Sequence, residues 1–316
     1  MEPDSVTTIP SIDLGRLTMP AIGFGASLLS LEPRPDERLS IDIITKILHC
    51  GIRLIDTADF YCRDTTDEHH NEALVAAAVR QSNIERSQII VATKGGVIRP
   101  DGLWVVDGQP LRLQATLRRS FEILGGDTPI DLWQLHAFDP EYSIEETMAV
   151  LRDAQREGLI RHIGLSNVSL PQLQLACQEA DVVSIQCEYS PWMRAPEDTG
   201  ILEYCERQGV IFLAYRPLGG VRRHPQLLRI PALIAMAAEK RVSPYVLVLA
   251  WLRGQSPAVV PVFGSRRVDH VLQLLPAATI CLSDTELSDL SSALKVLRRD
   301  RPLNEAAVPH ASTRST

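Results

Sequence analysis

Four side chains able to move protons stand where apolar runs end. The stretch Gly51-Ile-Arg-Leu-Ile-Asp-Thr-Ala-Asp-Phe-Tyr61 passes through Leu54-Ile55, which reads as a buried strand, and finishes in two acids and a tyrosine. Ile89-Ile-Val-Ala-Thr-Lys94 ends in a lysine, and Asp131-Leu-Trp-Gln-Leu-His136 ends in a histidine. Short strands that finish in ionisable groups are where a barrel of parallel strands places its chemistry. Taken singly, these residues have plainer uses: Asp56 as a helix cap, Tyr61 packed on a loop, Asp56 with Lys94 as an ordinary salt bridge. Together, a phenol, an ammonium, a carboxylate and an imidazole form a set able to deliver a proton to an oxygen on which negative charge is building.

In type and order, Asp56, Tyr61, Lys94 and His136 resemble the Asp, Tyr, Lys, His tetrad of the aldo-keto reductase superfamily. The resemblance runs through nearly the whole chain, because Gly158-Leu-Ile-Arg-His-Ile-Gly-Leu-Ser-Asn167, Gln186-Cys-Glu-Tyr-Ser190, Tyr215-Arg-Pro-Leu-Gly219 and Gly264-Ser-Arg-Arg267 follow in the family's order. It implies an α/β fold, a (β/α)8 TIM barrel with an N-terminal β-hairpin and additional C-terminal helices. It also implies NADPH-dependent reduction of a small aldehyde or ketone to an alcohol, with Tyr61 as general acid. A free phenol, with a pKa of about 10, is a poor acid at neutral pH. Lys94 is therefore expected beside it to stabilise the anion, Asp56 to keep the ammonium charged and oriented, and His136 to donate to the same oxygen or relay a proton. Two other readings use the same residues: an NADP(H)-binding regulatory or sensor barrel with little turnover, and an alcohol dehydrogenase running in the oxidative direction.

A second group of residues is expected to hold the cofactor. Ser166, Asn167 and Gln186, at or near the ends of the fifth and sixth strands, offer the donors and acceptors a nicotinamide carboxamide needs, and Tyr215 offers an aromatic face. The resemblance extends this set to Arg216, Leu218 and Gly219, and to Gly264, Ser265, Arg266 and Arg267. There a small turn leads into a helix expected to bear two guanidiniums suited to the 2′-phosphate of NADPH. A solvated arginine pair is the plainer reading. The pattern departs from the family further on, where Arg, Glu and Asn are replaced by His270, Gln273 and Leu274, with Gln273 kept as an expected cofactor contact. Arg216 replaces the usual serine and either reaches the pyrophosphate or pairs elsewhere. Trp104 and Trp192, with the charged groups of residues 63–70, are expected to wall the substrate pocket. The neighbouring His69 and His70 cannot face the same way on a helix and have no second ligand cluster, so no metal is expected. Asp67 and Glu68 read as first-turn acids of the helix that follows.

Composition bounds the rest. The 316 residues, 45% of them apolar and 22% charged, suffice for one large barrel domain over 1–316. A net charge of -7 argues against general affinity for nucleic acid or an anionic membrane surface, leaving a small-molecule carbonyl compound as the expected partner. A homo-oligomer is compatible with the sequence. The six cysteines are scattered without a Cys-x-x-Cys pair, as suits free thiols in a reducing compartment, with Cys62 next to Tyr61 the one to watch. With no signal-peptide pattern and no membrane-length apolar run, cytoplasmic residence is expected.

The elements that must position these groups follow from periodicity and caps. A hairpin is expected over residues 7–20, with a glycine turn, and the first barrel strand over 21–26. Seven further strands are expected at 53–57, 89–94, 132–136, 162–166, 182–187, 210–215 and 258–263. Helices are expected at 36–50, 67–80, 111–124, 143–157, 170–180, 197–208, 231–241 and 285–297, with an extra one from Ser243-Pro244 to Leu252. Residues 95–110 and 217–230 read as long specificity loops, and about 300–316 as a flexible tail.

Overall fold

The computed structural model describes residues 8–298; the expected start of the hairpin at Thr7 and the tail beyond 298 lie outside them. Strands β1 (Ser11–Asp13) and β2 (Thr18–Pro20) pair antiparallel, Ile12 opposite Met19. In their turn Gly15 sits at φ 83° and donates its N–H to Asp13 Oδ1 at 2.8 Å, a conformation that favours glycine. Met19 is fully buried against the barrel-interior residues Leu54, Leu132, Ile211, Leu213 and Val260. The hairpin thus plugs one end of the barrel, and burying a side chain of this size contributes about 1.5–3 kcal/mol.

Three strands follow in the barrel wall: β3 (Gly23–Gly25), β4 (Leu54–Asp56) and β5 (Ile90–Gly95). After β5 the loop folds into a small antiparallel hairpin of its own, β6 (Val97–Ile98) with β7 (Val105–Val106). The wall continues with β8 (Ile130–Leu135), β9 (Ile160–Ser166), β10 (Val182–Glu188), β11 (Ile211–Tyr215) and β12 (Val259–Phe263). All eight wall strands run parallel, and β12 pairs with β3 to close the barrel. At the seam a Cβ on Gly264 would lie 2.6 Å from the Gly25 carbonyl oxygen, so only glycine fits there.

The helices cover the wall because each carries an apolar stripe. In Glu37–His49 the buried residues Ile43, Ile44, Ile47 and Leu48 share one face, and Asp36 caps the start by accepting from Leu39 N. Capping boxes at Ser143 with Glu146, Ser169 with Gln172 and Ser283 with Glu286 begin three more.

Three expectations about helices need correction. The segment expected at 197–208 is two helices, Ala195–Asp198 and Ile201–Gln208, because Gly200 takes φ 73° between them. The helix expected from Asp67 begins at His70. Asp67 is drawn off to Arg34 at 2.5 Å and Glu68 to Arg112 at 2.9 Å, so neither serves the helix start, where the first-turn acid is Glu72. Third, Arg266 and Arg267 precede their helix, which spans Val268–Leu274 with Arg267 as its N-cap.

Candidate active site

β4 ends at Asp56, β5 carries Lys94 one residue before its end, and His136 follows β8 directly. Side chains alternate along a strand. Leu54 and Asp56 on one strand, with Ala92 and Lys94 on its neighbour, therefore point into the barrel, apolar below and ionisable at the mouth. Lys94 Nζ donates to Asp56 Oδ1 and Oδ2, both at 2.7 Å, to the Thr57 carbonyl at 2.9 Å and to the Tyr61 hydroxyl at 3.3 Å. From across the barrel Gln186 Nε2 donates to Asp56 Oδ1 at 2.9 Å. Lys94 is 0% exposed, Asp56 4%, His136 6% and Tyr61 9%, so these groups meet in a nearly dry recess.

Burial governs their protonation. The Tyr61 phenol is pushed well above its ordinary value by burial and then by the Asp56 charge, with Arg216 opposing. In the resting site burial prevails over the Lys94 ammonium, whose Nζ stands 3.3 Å from the hydroxyl. Tyr61 accordingly holds its proton at neutral pH. Burial lowers Lys94, and Asp56 works against that shift. His136 is driven well below its usual range by burial and then by Lys94, so it is neutral. Its Nδ1 is buried without a hydrogen-bond partner among the described residues, so the ring reaches the mouth through Nε2. Phe60 packs edge-on against His136 at 4.6 Å and against Trp104 at 4.8 Å, giving the recess one aromatic wall.

The sequence profile of the aldo/keto reductase family matches residues 21–295, which span the whole barrel and the tetrad. The chain belongs to the aldo/keto reductase family. Among its relatives, pyridoxine 4-dehydrogenase of Escherichia coli is 30% identical over 288 residues, covering 88% of this chain and 96% of the relative. An aldo-keto reductase of Schizosaccharomyces pombe named for NADP(+) is 27% identical, covering 90% and 92%. The crystal structure of a thermostable aldo-keto reductase with the inhibitor epalrestat superposes with a TM-score of 0.76 at 27% identity, over 91% of this chain and all of that one.

The expected cofactor residues fall into two groups. Ser166, Asn167, Gln186 and Tyr215 gather beside the tetrad in one hydrogen-bonded patch. Ser166 Oγ donates to the Gln186 carbonyl at 2.9 Å, and Asn167 Nδ2 to the His136 carbonyl at 3.0 Å. The Tyr215 hydroxyl donates to Asn167 Oδ1 at 3.0 Å. Asn167 stands at φ 55°, a left-handed conformation that asparagine tolerates better than most side chains. Gly264, Ser265, Arg266 and Arg267 lie at the β12 end, where Arg266 donates to the Leu28 carbonyl at 3.0 Å. Arg267 chelates Asp269 on the surface through Nε at 3.0 Å and Nη2 at 2.6 Å. Gln273 and His270 are exposed on the helix beyond. Arg216, exposed at φ 50°, accepts from Gly219 N at 2.7 Å through its carbonyl, and its guanidinium has no hydrogen bond or ion pair among the described residues. The first patch brings amides and hydroxyls together beside the tetrad, and the β12 end brings cations and glycine backbone together.

The residues expected to wall the substrate pocket divide. Trp104 is half-buried against Phe60, whereas Trp192 is 1% exposed and lies in the core, packed so closely on Gly219 that a Cβ there would come within 2.6 Å of its ring. Leu218 is partly buried against the same core. The charged groups of residues 63–70 are turned to one another or to neighbours, Arg63 to Glu32 at 2.7 Å and His70 Nδ1 to Ser30 at 2.8 Å. Cys62 is fully buried toward the Phe60 carbonyl, and burial pushes its thiol up to about 12. Sequence reasoning passed over Asp59 and Glu72 as site residues, although both are buried next to the tetrad, as is His69, which it placed in the substrate wall. The one available signal was the second acid in the Asp56-to-Tyr61 stretch.

Proposed function

We propose that the protein is an NADPH-dependent oxidoreductase that reduces a small aldehyde or ketone to the alcohol, with Tyr61 as general acid. The observation that carries this reading is Lys94 Nζ bridging both Asp56 oxygens and the Tyr61 hydroxyl in a recess walled by His136 and Phe60. The nicotinamide, when bound, supplies the hydride. Ser166, Asn167 and Gln186 would hold its carboxamide and Tyr215 its ring, with Arg216 and Arg266 as cations for its phosphates. Tyr61, kept protonated by burial, gives its proton to the carbonyl oxygen as negative charge builds there. Lys94 then neutralises the phenolate, and neutral His136 donates to the same oxygen. The relative named for NADP(+) supports the choice of cofactor. Phe60 and Trp104 supply an apolar wall, which suits a substrate with an aromatic or aliphatic body.

The test is NADPH oxidation with a panel of aldehydes and ketones, wild type beside Tyr61→Phe. Tyr61→Phe should lose roughly 10²–10⁴-fold in kcat, the usual size of a general-acid contribution, with NADPH affinity nearly unchanged. Equal loss of turnover and cofactor affinity would make Tyr61 a structural residue. One observation favours a second reading, alcohol oxidation with NADP as acceptor: the relative named pyridoxine 4-dehydrogenase. The same four side chains serve it in reverse, and NADP reduction with a panel of primary alcohols distinguishes the two directions.

A further inference from the structure

Next to the tetrad lies a second buried polar cluster, centred on Glu72 in the first turn of helix His70–Ser82. Glu72 is 0% exposed, and both of its carboxylate oxygens are taken. Thr93 Oγ1 donates to Oε1 at 2.5 Å, and His69 Nδ1 lies 2.5 Å from Oε2. The chain then closes on itself. His69 N donates to the Asp59 carbonyl at 2.6 Å, Asp59 N donates to the Lys94 carbonyl at 3.1 Å, and Thr93 is the chain neighbour of Lys94.

Four hydrogen bonds thus form a ring that ties the end of β5, bearing Lys94, to the turn bearing Tyr61. The turn itself is held by the Asp59 carboxyl group, which accepts from Phe60 N at 2.6 Å and from Thr116 Oγ1 at 3.3 Å. His69 adopts φ 66° to take part, a backbone conformation disfavoured for a residue with a Cβ. Burial works against an imidazolium at His69, but the bond to Glu72 together with the nearby Glu72, Asp59 and Glu68 charges turns the net shift upward. A buried carboxylate has no good alternative to its partners, and a ring built on one has a single stable arrangement.

Resting on the tetrad reading above, we infer that Glu72 is a positioning residue of this reductase. Through Thr93 and His69 it sets the separation between Lys94 Nζ and the Tyr61 hydroxyl. That separation, 3.3 Å, is at the long end for a hydrogen bond, so a shift of a few tenths of an ångström breaks the contact.

The experiment compares wild type, Thr93→Val, Thr93→Ser and Glu72→Leu for kcat and KM with NADPH and a reactive aromatic aldehyde. Cofactor affinity is read by tryptophan fluorescence and folding by the melting curve. Thr93→Val is isosteric and removes only the hydroxyl that meets Glu72. Its kcat should fall at least about tenfold, with KM and the NADPH dissociation constant within about twofold of wild type, and Thr93→Ser should restore most of the rate. Glu72→Leu should show the same split, and if it does not fold the Thr93 pair decides alone. A folded Thr93→Val with wild-type kcat overturns the inference. So does a parallel loss of kcat, KM and cofactor affinity that serine does not rescue, which marks a merely structural role. A wild type that turns over no carbonyl compound and no alcohol defeats the tetrad reading itself, whereas an active wild type with insensitive variants defeats only the role of Glu72.

Discussion

Lys94→Met tests the site through stability. It leaves the Asp56 carboxylate, 4% exposed, with Gln186 Nε2 at 2.9 Å and no cation. Breaking a buried ion pair from one side costs about 3–5 kcal/mol, because the remaining charge stays desolvated without its counter-charge. In a chain of this length each kcal/mol moves the melting temperature by roughly 2 °C, so the loss should be about 6–10 °C. Asp56→Asn strands the ammonium instead, but Lys94 keeps the Thr57 carbonyl at 2.9 Å and burial already lowers its pKa, so it can shed its proton and lose less. The double variant Asp56→Asn with Lys94→Met buries no charge at the pair and should recover much of the stability, a coupling of roughly 2–3 kcal/mol. It should not recover turnover, because Tyr61 still lacks a cation to neutralise its anion. Melting curves at neutral pH and NADPH oxidation rates on the four proteins give both quantities. A Lys94→Met protein that melts with wild type, or a double variant that is simply additive, would refute the argument that a desolvated pair organises the recess.

Two further predictions concern titration and cofactor choice. The Asp59 carboxyl is pushed up to about 8 by burial and then by Glu72, with His69 opposing and Glu68 adding to the rise. The folded chain keeps this proton where the unfolded chain, with a value of about 4, has lost it, so the contribution to stability is full below about pH 4 and is lost as pH rises toward 8. Asp59→Asn, which does not titrate, should therefore lose less stability than wild type between about pH 5 and 8, and parallel melting curves across that range would contradict the assignment. Arg267 is chelated by Asp269, which competes with any phosphate for the guanidinium. Asp269→Asn should raise the preference for NADPH over NADH in fluorescence titrations, and Arg266→Ala with Arg267→Ala should abolish most of it; a preference unmoved by either places the 2′-phosphate elsewhere.

What could be read from the sequence was local. Strands such as 89–94 announce themselves by an apolar run that stops at a charged residue. Helix starts announce themselves by Ser143, Ser169 and Ser283 with their reciprocal acids or amides, because cap and partner are three residues apart. The eightfold alternation of such elements leaves a closed parallel barrel as the compact arrangement, which puts Asp56, Lys94 and His136 at one mouth. Even so, Gly200, at a left-handed φ of 73°, divides a helix that periodicity carries through.

The rest depended on which residues distant in the chain are brought face to face. Trp192, expected as pocket wall, is buried in the core, where Gly219 lies against its ring. Glu72 reads as a helix acid until that helix is laid against β5, where Thr93, 21 residues away, meets it and water is excluded. The sequence offers Arg267 as a phosphate ligand but does not show that Asp269 is held against its guanidinium. The direction of the Tyr61 shift came from the same source. Residue types name the groups that titrate, whereas desolvation and the balance of Lys94 against Asp56 exist only once the barrel has closed around them.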